Sequence, residues 1–577
     1  MRKIKLIIFS LVLLAVILPF QNFDKLSGSK TLPFIIVNHD LYVHTLQPLI
    51  DGEGKALSPI GHSYEEVMSE LSKAKRDITG NGAGFSLSLT YGSHSLWYWT
   101  GKLSYKEWLC RLLKGACKTL LSEERLDNLI SGKVENRQIL NDLEPGTIVS
   151  VRMNDHHHVN GAEKFLDGSF SSSEKLITRK IAAISPEFLI FLKRGFVVSK
   201  KERAKYGKFS DGPGCKEDGY SLDFSKIDVI NHRYRQIRAL LLNDNTEAVE
   251  LDFSRSPCYF PERVSVSRRR YFMNLLLSRV FRDRNQIAKT GRHVKIIIRI
   301  PIDVEEHHFG ISWTRLLKRK ADAIILAKRL PYNSSDWKMP TAFRNNGDTK
   351  IYGEIYPISD AASTSTGVAR RQAHLNELYT TAYEMRRAGV DGISLFNFQY
   401  YFKSNSGLMP ADRFGWSDVL SCIKSIKCLE GKRGSYFLVN RNSKSDLNAR
   451  VLRHSTYSRF TISRPSLRVS KRNRFFLRVQ LRGTKYKREW SAQDLFVDVN
   501  GKEFRLIRTT RLPGIDPVYN FPNRMGGREF ARSWKDVRTS RHRYIPVSAL
   551  RNGTNKIRVY YKGRGRTMPI RLSVVLD

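Results

Sequence analysis

"EAVELDFSRSP", residues 247–257, decides the fold. It opens as a strand, yet Glu250 and Asp252 alternate with Val249, Leu251 and Phe253. Residues two apart on a strand share a face, so the acids take one side and the apolar residues the other. A buried carboxylate is unfavourable unless it is paired or hydrogen-bonded. Arg255 and Arg299 are the candidate partners. Such a strand suits a closed barrel: its apolar side packs under helices and its acids enter the lumen.

Apolar runs of strand length recur on either side of this segment, at 33–40, 82–92, 146–158, 294–301, 321–327, 349–357 and 391–401. Helical patterns fall among them at 64–77, 105–121, 226–244, 268–291, 311–320 and 369–390. Strands that alternate with helices predict a parallel sheet wrapped by helices. Eight of them predict a (β/α)8 TIM barrel over residues 31–430. An open doubly wound sheet is the rival, but no G-x-G-x-x-G or Walker A pattern follows a strand. From 435 to 577 short period-2 runs separated by turns such as "NGK" and "RNGTN" predict an antiparallel β-sandwich.

The chain is strongly basic, with 98 Lys+Arg against 55 Asp+Glu and a formal net charge of +43. Residues 441–577 hold 33 of those bases and 9 of those acids, an excess of 24. Such a field captures polyanions. At the N-terminus Arg2, Lys3 and Lys5 precede a 15-residue apolar run, Leu6–Phe20. That is the pattern of a secretory signal, placed at residues 1–25. The run is shorter than the roughly 20 residues a membrane span prefers. An uncleaved anchor is the alternative. Export to a secreted or periplasmic location argues against nucleic acid as the partner and against stable membrane insertion once the signal is removed. An extracellular anionic polysaccharide, sulfated or uronate-bearing, fits the charge. Of six cysteines, Cys110/Cys117 and Cys422/Cys428 are spaced to pair in an oxidising compartment. No C-x-x-C suggests a zinc ribbon.

Active sites of such barrels lie at the C-terminal ends of the strands. Here those ends carry His39 and Asp40; Arg152, Asn154, Asp155 and His156; Glu250, Asp252 and Arg255; Arg299; Glu354; and Asn397 and Tyr400. Carboxylates on the fourth and seventh strands face one another across a barrel mouth. Asp252 and Glu354 are therefore the candidate pair for cleaving a glycosidic bond. One would protonate the leaving oxygen while the other attacks the sugar or activates water. The remaining residues would bind sugar or tune those acids. "MNDHHHVN" (153–160) invites a metal reading, but adjacent histidines splay to opposite sides and at most two could share an ion; no cofactor or metal is expected. Aromatic residues near the same loops, among them Tyr259, Phe260 and Trp313, suit either sugar stacking or packing.

"LDFSKIDVINHRYRQIRALLLNDNTEAVELDFSRSP" (222–257), with "VSVRMNDHH" (149–157), "GEIYP" (353–357) and "DGISLFNF" (391–398), resembles bacterial exported glycoside hydrolase-like TIM-barrel proteins grouped near the glycosyl hydrolase-like family 10. The resemblance covers about residues 33–405 and implies glycan hydrolysis without naming a substrate. The large clan of retaining barrels ends its fourth strand in Asn-Glu. This chain has Leu251-Asp252, which leaves the roles of Asp252 and Glu354 interchangeable and Asp155 and Glu250 in reserve. The expectation is a secreted glycoside hydrolase acting on an anionic polysaccharide by two carboxylates. The alternative is a non-catalytic surface protein that binds anionic glycans through its basic face.

Overall fold

The computed structural model of the protein describes residues 32–40, 64–89, 145–154, 221–254, 258–302, 306–327, 339–344, 347–355, 375–396 and 416–431, shorter segments between them, and the strands that follow residue 434. The proposed signal, the helix expected at 105–121, and Cys110 and Cys117 lie outside the described residues.

Eight strands close into a ring: β1 (Ile35–Asp40), β2 (Gly84–Leu89), β3 (Thr147–Arg152), β4 (Thr246–Asp252), β5 (Lys295–Pro301), β6 (Ala323–Ala327), β7 (Lys350–Ile355) and β8 (Gly392–Leu395). Each pairs in parallel with the next in chain order, and β8 closes on β1 with Ile393 opposite Ile35. This is the (β/α)8 barrel expected from the sequence. Its helices include α1 (Tyr64–Gly80), α2 (Ile227–Leu242), α3 (Val266–Ala288), α4 (Trp313–Lys318), α5 (Leu375–Arg387), α6 (Trp416–Lys424) and α7 (Ile426–Gly431). Among the described residues no helix is long and apolar enough to cross a membrane.

Strand alternation sorts the side chains into two cores. Outside the ring, Val37, Phe85, Val149, Val249, Leu251, Ile298, Ile324 and Ile393 pack against the helices. From α3, Phe272, Met273, Leu276, Leu277 and Val280 complete that layer. Inside the ring, Ile36, Ile148, Ala248, Ile297, Ala323, Ile325 and Tyr352 fill the end where the strands begin. Tyr352 lies across this floor and donates its hydroxyl to the Pro33 carbonyl at 2.6 Å. Gly392 makes room for it: a Cβ there would collide with the Tyr352 ring and the Phe34 carbonyl.

One expected helix begins later than its pattern suggested. Residues 367–372 pair with 358–364 as an antiparallel hairpin after β7, and α5 starts only at Leu375. The Ser/Thr-rich stretch before Gly367 favours an extended chain, which draws "GVARRQ" into a strand.

Beyond α7 the chain forms a five-stranded and a four-stranded antiparallel sheet. The Leu495–Val499/Lys502–Arg505 hairpin turns on Asn500 and Gly501 at φ 54° and 92°. Both values are the left-handed backbone that an Asn-Gly type I′ turn requires. Cys422 and Cys428 form a disulfide that joins α6 to α7, and Cys258 is also disulfide-bonded.

Gly392→Ala should lower the stability of the fold by about 1–3 kcal/mol, the usual cost of overpacking. Urea denaturation checks this; an unchanged midpoint would show that the floor has slack.

Candidate active site

Above the apolar floor the lumen changes character. The inward positions of the upper strand halves are Asn38, Ser86, Ser88, Ser150, Arg152, Glu250, Asp252, Arg299, Glu354 and Ser394, all buried. The change follows from period 2 alone: each strand continues its inward phase from the apolar floor into a polar layer. On β4 this carries Ala248 into Glu250 and Asp252, with Val249 and Leu251 on the helix side.

Arg299, from β5, holds the layer together. Its Nε donates to Glu250 Oε1 at 2.8 Å, one terminal nitrogen pairs with Glu354 Oε2, and the other donates to Ser394 Oγ at 3.2 Å. Ser150 Oγ adds a second hydrogen bond to Glu250 Oε1, at 2.8 Å. The guanidinium lies 4.7 Å from the Phe396 ring centroid, and that of Arg152 lies 5.3 Å from the same ring. Asp252 accepts at one oxygen, Oδ1, from both the backbone N–H and the hydroxyl of Ser254, at 2.8 and 2.6 Å. Its Oδ2 and the Glu250 Oε2 are buried without a hydrogen bond among the described residues.

Among the described residues the layer sets three carboxylates against two guanidiniums. Burying a charge is unfavourable, so enclosure makes these carboxyls hold their protons more tightly. Burial is the largest influence on Glu354; it outweighs the pull of Arg299, and with repulsion from Asp252 and Glu250 it pushes the carboxyl up to about 7. Burial also raises Asp252, aided by Glu250 and opposed by Arg299, Ser254 and Arg152. Burial works against the charge on Arg299, but Glu250, Glu354 and Asp252 outweigh it and hold the guanidinium protonated. Glu354 remains 8% exposed, whereas Asp252 and Arg299 are fully enclosed.

Five residues singled out from the sequence converge here: Arg152, Glu250, Asp252, Arg299 and Glu354. Two others do different work. His39 shares the outward phase of Ile35 and Val37 and packs 5.3 Å from the Phe85 ring, on the helix side of the barrel. The inward residue at this level of β1 is its neighbour Asn38, which hydrogen-bonds Ser86 and Ser88 on β2. Asn154 is a loop clamp: it accepts from the Leu222 N–H at 2.9 Å and donates to the Cys258 carbonyl at 3.3 Å. Among the aromatics, Tyr259 packs between Phe224 and Phe253, Phe260 is buried in the outer core, and Trp313 packs between Phe309 and Phe343. The Asp40 side chain, Asp155, His156, Arg255, Asn397 and Tyr400 lie outside the described residues.

Sequence reasoning did not single out Ser150, Ser394, Phe396 or Ser254. The phase of strands β3 and β8 would have put Ser150 and Ser394 in the lumen. Ser254 carries its own signal: Leu-Asp-Phe-Ser occurs at 222–225 and again at 251–254. In both copies the Asp Oδ1 accepts from the Ser N–H and hydroxyl two residues on.

A closed (β/α)8 barrel with an acid–base cluster near the C-terminal ends of its strands is thus the class that fold and site define. No protein-family model and no curated protein matches the sequence. Solved structures similar to the chain include the GH36 α-galactosidase AgaB of Geobacillus stearothermophilus, at 10% identity and a TM-score of 0.28, covering 95% of this chain and 56% of that one. A noncanonic maltogenic α-amylase, AmyB of Thermotoga neapolitana, matches at 10% identity and 0.29, covering 92% and 98%. An Anoxybacillus α-amylase matches at 8% and 0.34, also covering 92% and 98%. The chain spans little more than half the length of the α-galactosidase. Likeness at this level assigns no substrate and no residue role.

Arg299→Met should destabilise the protein by about 3–5 kcal/mol at neutral pH, because it strands buried carboxylates. The sign with pH follows from Glu354, whose folded value of about 7 lies above its ordinary 4.5. Its contribution is full below the ordinary value and is lost as pH rises through the folded one. Removing the cation raises the carboxyls further, so the deficit of the variant should shrink toward pH 4 and widen toward pH 8. Urea unfolding at both ends checks it; a deficit independent of pH would contradict the charge network.

Proposed function

We propose that the protein is a secreted glycoside hydrolase that cleaves an anionic polysaccharide, or its oligosaccharides, with Asp252 and Glu354. The observation that carries this reading is the pair of buried carboxyls, both raised above their ordinary values by burial, in one polar layer of a barrel lumen. Paired acids that differ in proton occupancy are what glycoside cleavage needs. The overall charge of +43 supports an anionic substrate.

In this reading Asp252 is the acid. Ser254 occupies its Oδ1, which leaves Oδ2 to carry the proton to the leaving glycosidic oxygen. Glu354 is the nucleophile or base: Arg299 binds its Oε2 and leaves the other oxygen for the sugar carbon or for water. Arg299 and Arg152 then balance the charge on the two carboxyls as the proton leaves. Asp155, His156, Arg255, Asn397 and Tyr400 would bind sugar.

Asp252→Asn and Glu354→Gln should each reduce turnover of the responsive glycan by about 10²–10⁴-fold, the range of a lost acid or base. The native rate should rise with pH around 7 as Glu354 ionises. A panel of sulfated, uronate-bearing and neutral glycans measures both. Unchanged turnover in the two variants would remove them from the mechanism. The rival reading, a non-catalytic surface protein that binds anionic glycans, would be favoured if the native chain binds a panel member and turns none over.

A further inference from the structure

A second feature lies at the opposite end of the barrel from the acid layer. Helices that follow barrel strands run back toward the end where the strands begin, so α3 and α4 both terminate there, just ahead of β5 and β6. Between their last turns is a pocket of about 650 Å³ whose wall includes Arg282, Arg284, Lys289, Lys318, Arg319 and Lys320. No acid lines it. Arg284 pairs with Asp322 at 3.1 Å, and Arg282 lies 3.8 Å from Asp283. Lys289, Lys318, Arg319 and Lys320 have no carboxylate partner among the described residues.

Cations near helix C-termini offset the negative end of the helix dipole. That accounts for one or two of them, not for six around one concavity. Two details point further. Ser278 holds the Arg319 guanidinium against the wall through a 2.7 Å hydrogen bond to its hydroxyl. Lys320 ends α4 at φ 54°, in the left-handed region where glycine is the unstrained choice. The strained turn thus keeps a cation at the pocket wall where the backbone geometry favours glycine.

We propose that this pocket is a second glycan site, remote from the barrel mouth, that binds a sulfated segment of a polysaccharide chain. Clustered guanidinium and ammonium groups, four of them without a carboxylate partner among the described residues, match oxyanions spaced along a short oligomer. Single-stranded nucleic acid would require exposed rings for base stacking. Among the described residues the pocket offers only Phe281, which is buried and lies 5.2 Å from the Arg284 guanidinium. The choice of a glycan rests on the proposed hydrolase reading, whereas the anion site itself rests on the pocket.

Lysine acetylation of the full chain, read residue by residue by mass spectrometry, separates this pocket from the basic tail. A sulfated tetrasaccharide should slow labelling of Lys289, Lys318 and Lys320 by about threefold or more, and its desulfated form should not. The combined Lys289→Gln, Lys318→Gln and Lys320→Gln variant should bind the sulfated sugar about fivefold or more weakly by calorimetry, with an unchanged melting temperature. Unaltered labelling at the three lysines, or equal protection by a single-stranded oligonucleotide of matched charge, would overturn the proposal. The footprint should persist in Asp252→Asn, so that binding at this pocket and turnover at the barrel mouth are measured independently.

Discussion

The guanidinium of Arg299 is the contact on which the upper barrel depends. It reaches from β5 to Glu250 on β4, Glu354 on β7 and Ser394 on β8, and so ties four strands of the ring through one side chain. Its burial is tolerable only because carboxylates surround it, and theirs only because it sits among them. A hydrophobic layer of the same volume would serve stability at least as well. Retaining charge there instead places titratable groups near the C-terminal ends of the strands, where barrel chemistry is usually found.

The lumen is thus built in two storeys. The lower one, with Tyr352 across it, is apolar and needs no partners beyond the Pro33 carbonyl. The upper one needs every hydrogen bond it can make: the hydroxyls of Ser150 and Ser254 donate to Glu250 and Asp252, and that of Ser394 accepts from Arg299. Among the described residues this storey holds three acids, Glu250, Asp252 and Glu354, and two bases, Arg152 and Arg299. Burial raises both Asp252 and Glu354, and carboxyls held above their ordinary range suit acid–base work rather than packing alone.

Much of this was legible in the sequence. All eight strands lie within the apolar runs or extend them by a residue or two, and the phase of "VELDF" put Glu250 and Asp252 inside from the outset, because apolar and acidic residues strictly alternate there. The first strand failed for the opposite reason. "FIIV" is apolar throughout and carries no phase, so nothing in it tells that Asn38 turns inward and His39 outward. Asn154 misled because it lies past the end of its strand, where period 2 no longer holds and the carboxamide turns to backbone partners. The hairpin at 358–372 was hidden by arginines and an alanine that also suit a helix. The partnership of Arg299 with Glu354 links residues far apart in the chain, and only closure of the ring brings them together.

The central claim is that this enclosed layer keeps a proton at neutral pH on one of two carboxyls. Isotope-edited infrared titration of the native protein, following the glutamate carboxyl band that disappears in Glu354→Gln, measures it directly. Burial of Glu354 beside Asp252 and Glu250 predicts that it is half protonated near pH 7. A Glu354 carboxyl that titrates at its ordinary value, near 4.5, would contradict it.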